Sequence, residues 1–394
     1  MKKRVLSILL ALAMVFCSGL AFSASAEDAP KLKFNDGKFK IMHLTDTQDV
    51  YPASKTMLSF IDASIKQYQP DIVILGGDNT VGPAETKDEA IKELTSVFVE
   101  NEVYFSLVFG NHDREQGVSN DELLALYQKH GGEYCLAYDA VPELHGAGTH
   151  NLPVYSSDGS KIIFNLWMFD SGSGVYNEAG ERLGYDCVTE DQIKWYESVS
   201  SELEKESKVK IPSLAFQHII VGDVYDVLFH ETAVEAGELT RSFNGKIYSC
   251  LPKTENFDGF LFEYPCPGYY NFGQFDSMVA RGDVIGIFSG HDHVNTFETE
   301  LKGIKIVNTP GATYHSYGND LVRGMRMITV CENDTWNFDT EVVTVNDLAA
   351  QNADFAKEAG ISSFKIWLCD IAGNILLGFG KLSSVFSKVI SIVG

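Results

Sequence analysis

Apolar β-type runs recur along this chain, and five of them end in a short cluster of Asp, Asn, Gln, Gly or His. Phe39–Leu44 runs into Thr45-Asp46-Thr47-Gln48, Asp71–Leu75 into Gly76-Gly77-Asp78-Asn79, and Val103–Phe109 into Gly110-Asn111-His112-Asp113. Ser213–Gln217 is followed by His218, and Val284–Phe288 is soon followed by Gly290-His291-Asp292-His293. Near-continuous apolar runs are buried on both faces, the habit of strands in sheets covered by helices. Helix-period segments lie between them, at 54–69, 87–101, 120–129 and 189–207. The later runs 304–308, 325–331 and 336–345 follow one another with no helical segment between them, so the second half reads as more antiparallel. The fold class is therefore α/β. In open α/β sheets the crevice beyond the carboxyl ends of the strands is where ligands bind, so the five clusters are expected to converge there.

Composition bounds the alternatives. The chain has 394 residues, 45% of them hydrophobic, which excludes a disordered or collagen-like chain and predicts one large domain, placed at 33–345. With 54 acidic against 31 basic residues the net charge is -23, so no nucleic-acid-binding surface is expected. At the start, Lys2-Lys3-Arg4, the apolar run 5–20 and Ala24-Ser25-Ala26 read as a signal peptide over 1–26, cleaved after Ala26 and implying a secreted, extracellular protein. Six cysteines then remain in the mature chain, Cys135, Cys187, Cys250, Cys266, Cys331 and Cys369. Up to three disulfides and buried free thiols are both open readings.

Carboxylates, imidazoles and an amide gathered at one crevice suit two neighbouring cations, because a carboxylate placed between two such charges lowers their repulsion. Asp78 is the natural bridge. The glycines beside Asp78, Asn111 and His291 leave room for close approach.

These clusters, in this order, resemble the pattern of the calcineurin-like metallophosphoesterases: D-x-H, then GD, then GNH-D/E, then a lone His, then GHxH. Within that family, segments such as Phe169-Asp170-Ser171-Gly172 and Tyr314-His315-Ser316-Tyr317-Gly318 are similar to the plant purple-acid-phosphatase-29-like branch. The resemblance implies a four-layer α/β/β/α sandwich, two mixed sheets flanked by helices; the residues beyond it read as a C-terminal helical tail over 346–394, beginning with one polar helix over 347–360. It implies two divalent or iron ions, with Mn, Fe or Zn foremost, and a small phosphorylated substrate, first a phosphomonoester and second a phosphodiester. Asp46, Gln48 and His293 would hold the first metal, with Asp78 bridging. Asn111, His218 and His291 would hold the second. A metal-bound hydroxide would attack phosphorus, and His112 would protonate the leaving oxygen with its ring oriented by Asp113.

Two positions depart from the family pattern. Gln48 stands where the family has His, and an amide oxygen is a weaker donor to zinc than imidazole, which weakens the first site or shifts it toward Mn or Fe. No Tyr follows Asp78 closely, so the tyrosinate of true purple acid phosphatases has no counterpart. A metal-binding protein with impaired turnover is the alternative reading. His315 is expected near the cleft as a substrate contact, and Arg323 and Arg326 are candidate phosphate ligands. His43 is expected to be packed, whereas His130, His145, His150 and His230 are expected at the surface. The segment 364–394 is strongly apolar yet too short in its uncharged run to span a bilayer. It suits docking on the core or contact with a membrane surface.

Overall fold

The structure, a computed structural model, describes residues 31–233 and 240–378. The predicted signal peptide and the last part of the apolar tail lie outside the described residues, and so does Cys17.

Side-chain alternation along the strands builds two opposite surfaces from each sheet. In the Lys38–Leu44 strand Phe39 and Ile41 enter one core while Met42 and Leu44 enter another; in Ile72–Gly76 the same split separates Ile72 and Ile74 from Val73 and Leu75. These strands lie in a five-stranded sheet ordered Asp334–Thr344, Gly324–Cys331, Lys38–Leu44, Ile72–Gly76, Tyr104–Val108. Its last three strands run parallel and the first two pair antiparallel. A second sheet has parallel strands Ile162–Phe169, Ser213–Gln217, Val284–Ser289 and Ile304–Asn308 at its centre, flanked by antiparallel neighbours.

The sheets face one another through Phe39, Ile41, Ile74, Leu166, Phe216 and Phe288. Helices Lys55–Tyr68, Lys87–Glu100 and Asn120–Gly131 cover the outer face of the five-stranded sheet, packing on Met42, Val73, Leu75 and Phe105. Helices Glu190–Ser207 and Gln274–Arg281 cover the other sheet over Trp167, Phe169, Ala215 and Ile287. The result is the α/β/β/α sandwich with two mixed sheets. Both sets of parallel strands deliver their carboxyl ends to one edge, and the register Leu44↔Leu75 and Gly76↔Val108 keeps the loops after them level.

Several local expectations change. The polar segment after Thr344 forms two short helices, Val345–Gln351 and Ala353–Glu358, broken at Asn352, which caps the second through its side chain. The apolar helix Ser363–Gly378 docks on this pair: Ile366 joins the adjoining core and Lys365 pairs with Asp320 at 2.7 Å. Its other side leaves Phe364, Trp367, Leu368 and Ile375 exposed. Among the described residues no helix is long and apolar enough to cross a membrane. Cys135, Cys187, Cys266, Cys331 and Cys369 are free thiols, and Cys250 lies outside the described side chains.

His150 departs most from its expected surface position. It is fully buried, and its Nε2 meets Ser106 Oγ at 2.7 Å while Nδ1 donates to Gly148 O at 2.7 Å. Burial pushes its pKa down to about 4, so the imidazole is neutral, and with Nδ1 donating, Nε2 is left to accept from the Ser106 hydroxyl. An unfolded chain takes up this proton near pH 6.5, so between there and pH 4 the unfolded state binds more protons and stability falls as pH falls. Chemical denaturation from pH 7 to 4.5 is expected to show a loss of about 2–3 kcal/mol from this group, and His150→Gln to remove that part of the slope.

Candidate metal centre

At the common edge, the loops after the strands bring Asp46, Gln48, Asp78, Asn111, His218, His291 and His293 together, all of them buried. Asp46, Gln48, Asp78 and His291 take left-handed backbone angles, φ 50°, 38°, 50° and 70°. Non-glycine residues rarely hold that conformation, and here it occurs immediately after strand ends, where the chain must turn sharply to aim a side chain back across the edge.

Each carboxylate is anchored through one oxygen and turns the other toward the imidazoles. Asp46 Oδ2 accepts from Thr45 Oγ1 at 2.8 Å and from His291 N at 3.0 Å. Its Oδ1 lies 3.2 Å from His293 Nε2 and 3.8 Å from His218 Nε2. Asp78 Oδ1 accepts from His112 N at 2.7 Å, while Oδ2 lies 3.3 Å from His218 Nε2 and 3.1 Å from Gln48 Nε2. The imidazoles are also fixed from behind. His218 Nδ1 donates to Gly76 O at 2.9 Å and His293 Nδ1 to Tyr317 O at 2.8 Å, which turns each Nε2 toward the carboxylates.

The glycines serve this packing directly. A Cβ on Gly110 would stand 2.2 Å from Asp78 Oδ1, and one on Gly290 would stand 1.9 Å from Thr45 Oγ1 and 2.6 Å from Asp46 Oδ2. The room they provide is filled by the carboxylates themselves.

Asp46 Oδ1, Asn111 Oδ1, His218 Nε2 and His291 Nε2 are buried and make no hydrogen bond, although buried polar atoms are ordinarily paired. Two overlapping sets, Asp78 with His218 and His291, and Asp46 with Asp78 and His293, have ligand atoms mutually within 4.8 Å. Asp78 belongs to both. Hard carboxylate oxygens and imidazole nitrogens around one shared carboxylate fit two neighbouring cations. The electrostatics agree. Burial works against the charged forms of Asp78 and Asp46, but His218 and His112 hold Asp78 well below the usual carboxylate range, and His293 and His218 lower Asp46. Burial likewise opposes the charge on His218, yet Asp78 and Asp46 raise it to about 10; His293, beside Asp46, is raised to about 9. His291 is pushed down to about 3 by burial and by His218, so it is a neutral donor.

The expected partnership of Asp113 with His112 is not formed. Asp113 is fully buried and its carboxylate accepts from Asn79 N, Thr80 N and Gly110 N at 2.9, 3.0 and 2.8 Å. Burial and the Asp78 charge raise it to about 6. It splints the Asp78 and Asn111 loops together and, among the described residues, makes no hydrogen bond to an imidazole. The carboxylate on the His112 ring belongs to Glu115, whose Oε1 meets Nδ1 at 2.8 Å. His112 Nε2 lies 4.0 Å from Asp78 Oδ2, and its side chain is 41% exposed, so the ring can reach a bound molecule.

His315 is near the edge, with Nε2 2.8 Å from Asp49 Oδ1, a partner not singled out from the sequence. Arg326 is buried between the sheets, donating to Thr296 O and Asn308 O, and cannot contact phosphate. Arg323 stacks over Tyr314 and pairs with Asp320. In the aromatic segment, Tyr269, Tyr270 and Phe272 are exposed, and Tyr185 contacts the His291 ring edge-on at 4.3 Å.

The family model described as Calcineurin-like phosphoesterase matches residues 39–295 of this chain. An Arabidopsis thaliana protein named "Probable inactive purple acid phosphatase 14" is 30% identical over 80% of this chain and 82% of its own length. A second, "Probable inactive purple acid phosphatase 29", is 27% identical over 79% of this chain and 81% of its own length. Among solved structures, a dimetal phosphatase from Danio rerio is 13% identical and aligns over 77% of this chain and 98% of its own, with a TM-score of 0.45. The match takes in all five strand ends that carry the cluster, through Gly290 to His293, and the chain belongs to the calcineurin-like phosphoesterase family.

Proposed function

We propose that this chain is an exported hydrolase of phosphate esters, foremost phosphomonoesters, working through two cations. The observation that carries the reading is the set of buried, unpaired donor atoms facing one another around Asp78. Asp46, Gln48 and His293 would hold one cation, Asn111, His218 and His291 the other, with Asp78 between them. When bound, such cations lower the pKa of water and neutralise charge on the phosphate.

The protein's own groups supply the rest. Gln48 now donates through Nε2 to Asp78 Oδ2; the two ends of an amide are nearly isosteric, and a half-turn presents Oε1 to a cation. His112 is the proton carrier for the leaving oxygen. Glu115 takes up its Nδ1 hydrogen bond and so leaves Nε2 facing the cleft. His315, tied to Asp49, offers Nδ1 to the substrate rim. Asp113 keeps the two ligand loops in register.

A second reading has a specific basis. Gln48 is the departure from the family's His, and the plant relatives carry "inactive" in their names. Under that reading the chain binds metal with little turnover. The Gln48→His variant separates the two: a large rise in turnover from near zero supports impairment, and unchanged or lower turnover makes Gln48 a working ligand.

Protein stripped of metal and reloaded with Mn, Fe, Zn, Mg or Ca is expected to hydrolyse p-nitrophenyl phosphate faster than bis-p-nitrophenyl phosphate. The reverse order would assign a phosphodiesterase, and silence on both with no metal taken up would reject the reading. Asp78→Asn is expected to lose turnover together with metal content.

His112→Ala is expected to lower kcat by about 10²–10⁴-fold with metal content unchanged, and Glu115→Gln to give a smaller loss of the same kind. Asp113→Asn should instead appear as lost thermal stability, on the order of 1–3 kcal/mol, because one carboxylate serving three buried N–H groups is replaced by an amide that must turn a donor toward one of them.

A further inference from the structure

The segment from Gly311 to Tyr317 lies against the candidate first-metal ligands at several points. Gly311 N donates to His293 O at 2.9 Å, and Ala312 N donates to Thr45 O, next to Asp46, at 3.1 Å. His315 Nε2 reaches Asp49, next to Gln48, at 2.8 Å. Asp49 is itself anchored, accepting from Val50 N and Ser54 N at 2.9 Å each. Thr313 Oγ1 accepts from His315 N and Ser316 N, which keeps the intervening turn compact.

Tyr317 makes the closest approach. Its ring lies parallel to the His293 ring, 3° between planes and 4.1 Å between centroids, and its carbonyl oxygen takes the His293 Nδ1 hydrogen at 2.8 Å. The backbone contact sets the tautomer and the stack sets the plane of the ring, so Nε2 is aimed at Asp46. Tyr317 is in turn braced from outside. Its hydroxyl meets both Glu263 carboxylate oxygens, at 3.1 and 3.2 Å, and Glu263 Oε1 also accepts from Val294 N at 3.1 Å. Asn295 grips the Glu263 backbone in both directions, at 3.0 and 3.1 Å.

We propose that Tyr317, braced by Glu263, is a positioning residue for the first-metal site, and that the 311–317 strap supplies the orientation that Gln48 provides less strongly than a histidine would. Gly311 and Tyr317 reach His293 directly, and Ala312 and His315 reach Thr45 and Asp49, which adjoin Asp46 and Gln48. The inference rests on the two-cation reading of the site. Outer partners of a metal-binding imidazole contribute about 10–100-fold to affinity in general, and a ring clamped by both a carbonyl and a parallel aromatic is expected to fall in that range.

Manganese titration of the stripped full chain, by calorimetry and by the loss of the free-ion resonance signal, tests this with no reliance on turnover. The wild type is expected to bind two ions. Tyr317→Ala should raise the dissociation constant of one ion by about 10–100-fold and leave the other within about twofold. Tyr317→Phe, which keeps the stack and loses the hydroxyl, and Glu263→Ala should each weaken the same ion by a smaller factor, and the double variant should be no worse than the weaker of the two. Should Tyr317→Ala fail to fold, the Tyr317→Phe and Glu263→Ala pair carries the comparison, with the melting temperature of the stripped protein as the check on folding. Two ions bound with unchanged affinity in the folded Tyr317 variants would overturn the strap alone. A wild type that binds no manganese and no other divalent ion would overturn the two-cation reading itself.

Discussion

Asp46 and Asp78 are buried together at the edge where two sheets meet, and most of the surrounding architecture serves to hold those two charges there. Isolated carboxylates in such a place would be costly to bury. Here one oxygen of each is taken by backbone N–H and hydroxyl donors, and the other faces imidazole nitrogens. His218 is the shared neighbour, 3.8 Å from one carboxylate and 3.3 Å from the other. The same proximity that raises His218 and His293 depresses Asp46 and Asp78, so the cluster as a whole demands positive charge. Imidazolium can meet that demand, and so can a metal cation, and the two compete for the same nitrogen atoms.

The sandwich makes this cluster geometrically available. Asp46, Asp78 and Asn111 follow parallel strands of one sheet, whereas His218 and His291 follow parallel strands of the other. Neither sheet alone could surround a cation. Face-to-face packing through Phe39, Ile41, Phe216 and Phe288 brings the two rows of strand ends level, and the left-handed turns then direct their side chains inward. The positions of Gly110 and Gly290 show how closely the loops approach, since neither tolerates even a methyl group.

Much of this was legible in the sequence because it depends on short-range pattern. Near-continuous apolar runs placed the strands named from the sequence to within one or two residues, and the polar cluster after five of them named the residues that converge. What pattern could not supply was which neighbour a polar side chain chooses. Asp113 sits beside His112 in sequence, but a turn after the strand buries Asp113 among three backbone N–H groups and leaves Glu115, one short helical turn on, to meet the ring. Asp49 and Glu263 gave no signal, since their partners are 266 and 54 residues away, and Tyr317, though in a segment singled out by resemblance, gave no sign of its contact with His293, 24 residues away. His150 misled for the same reason: its partner Ser106 lies on the other sheet. The short strands Gly174–Tyr176 and Arg182–Tyr185 were likewise hidden, being too brief to show a period.

The two halves of the centre are built with different rigidity. His218 is locked to Gly76 on a central strand end, and Asn111 is held in a loop splinted by Asp113 and by buried Lys87, whose Nζ meets Thr80 O and Asp113 O. The half containing Asp46 and His293 leans instead on a neutral amide and on a strap that emerges from buried Ala312 and Thr313 to Tyr317, a residue 54% exposed. Exposed contacts open at lower free energy than those fixed within a sheet edge. The consequence for a two-cation centre is asymmetry: the cation shared by Asn111, His218 and His291 would be the resident one, and the cation beside Gln48 the one that exchanges with solvent. The choice between a working phosphatase and an impaired one then turns on the grip of that second, looser half.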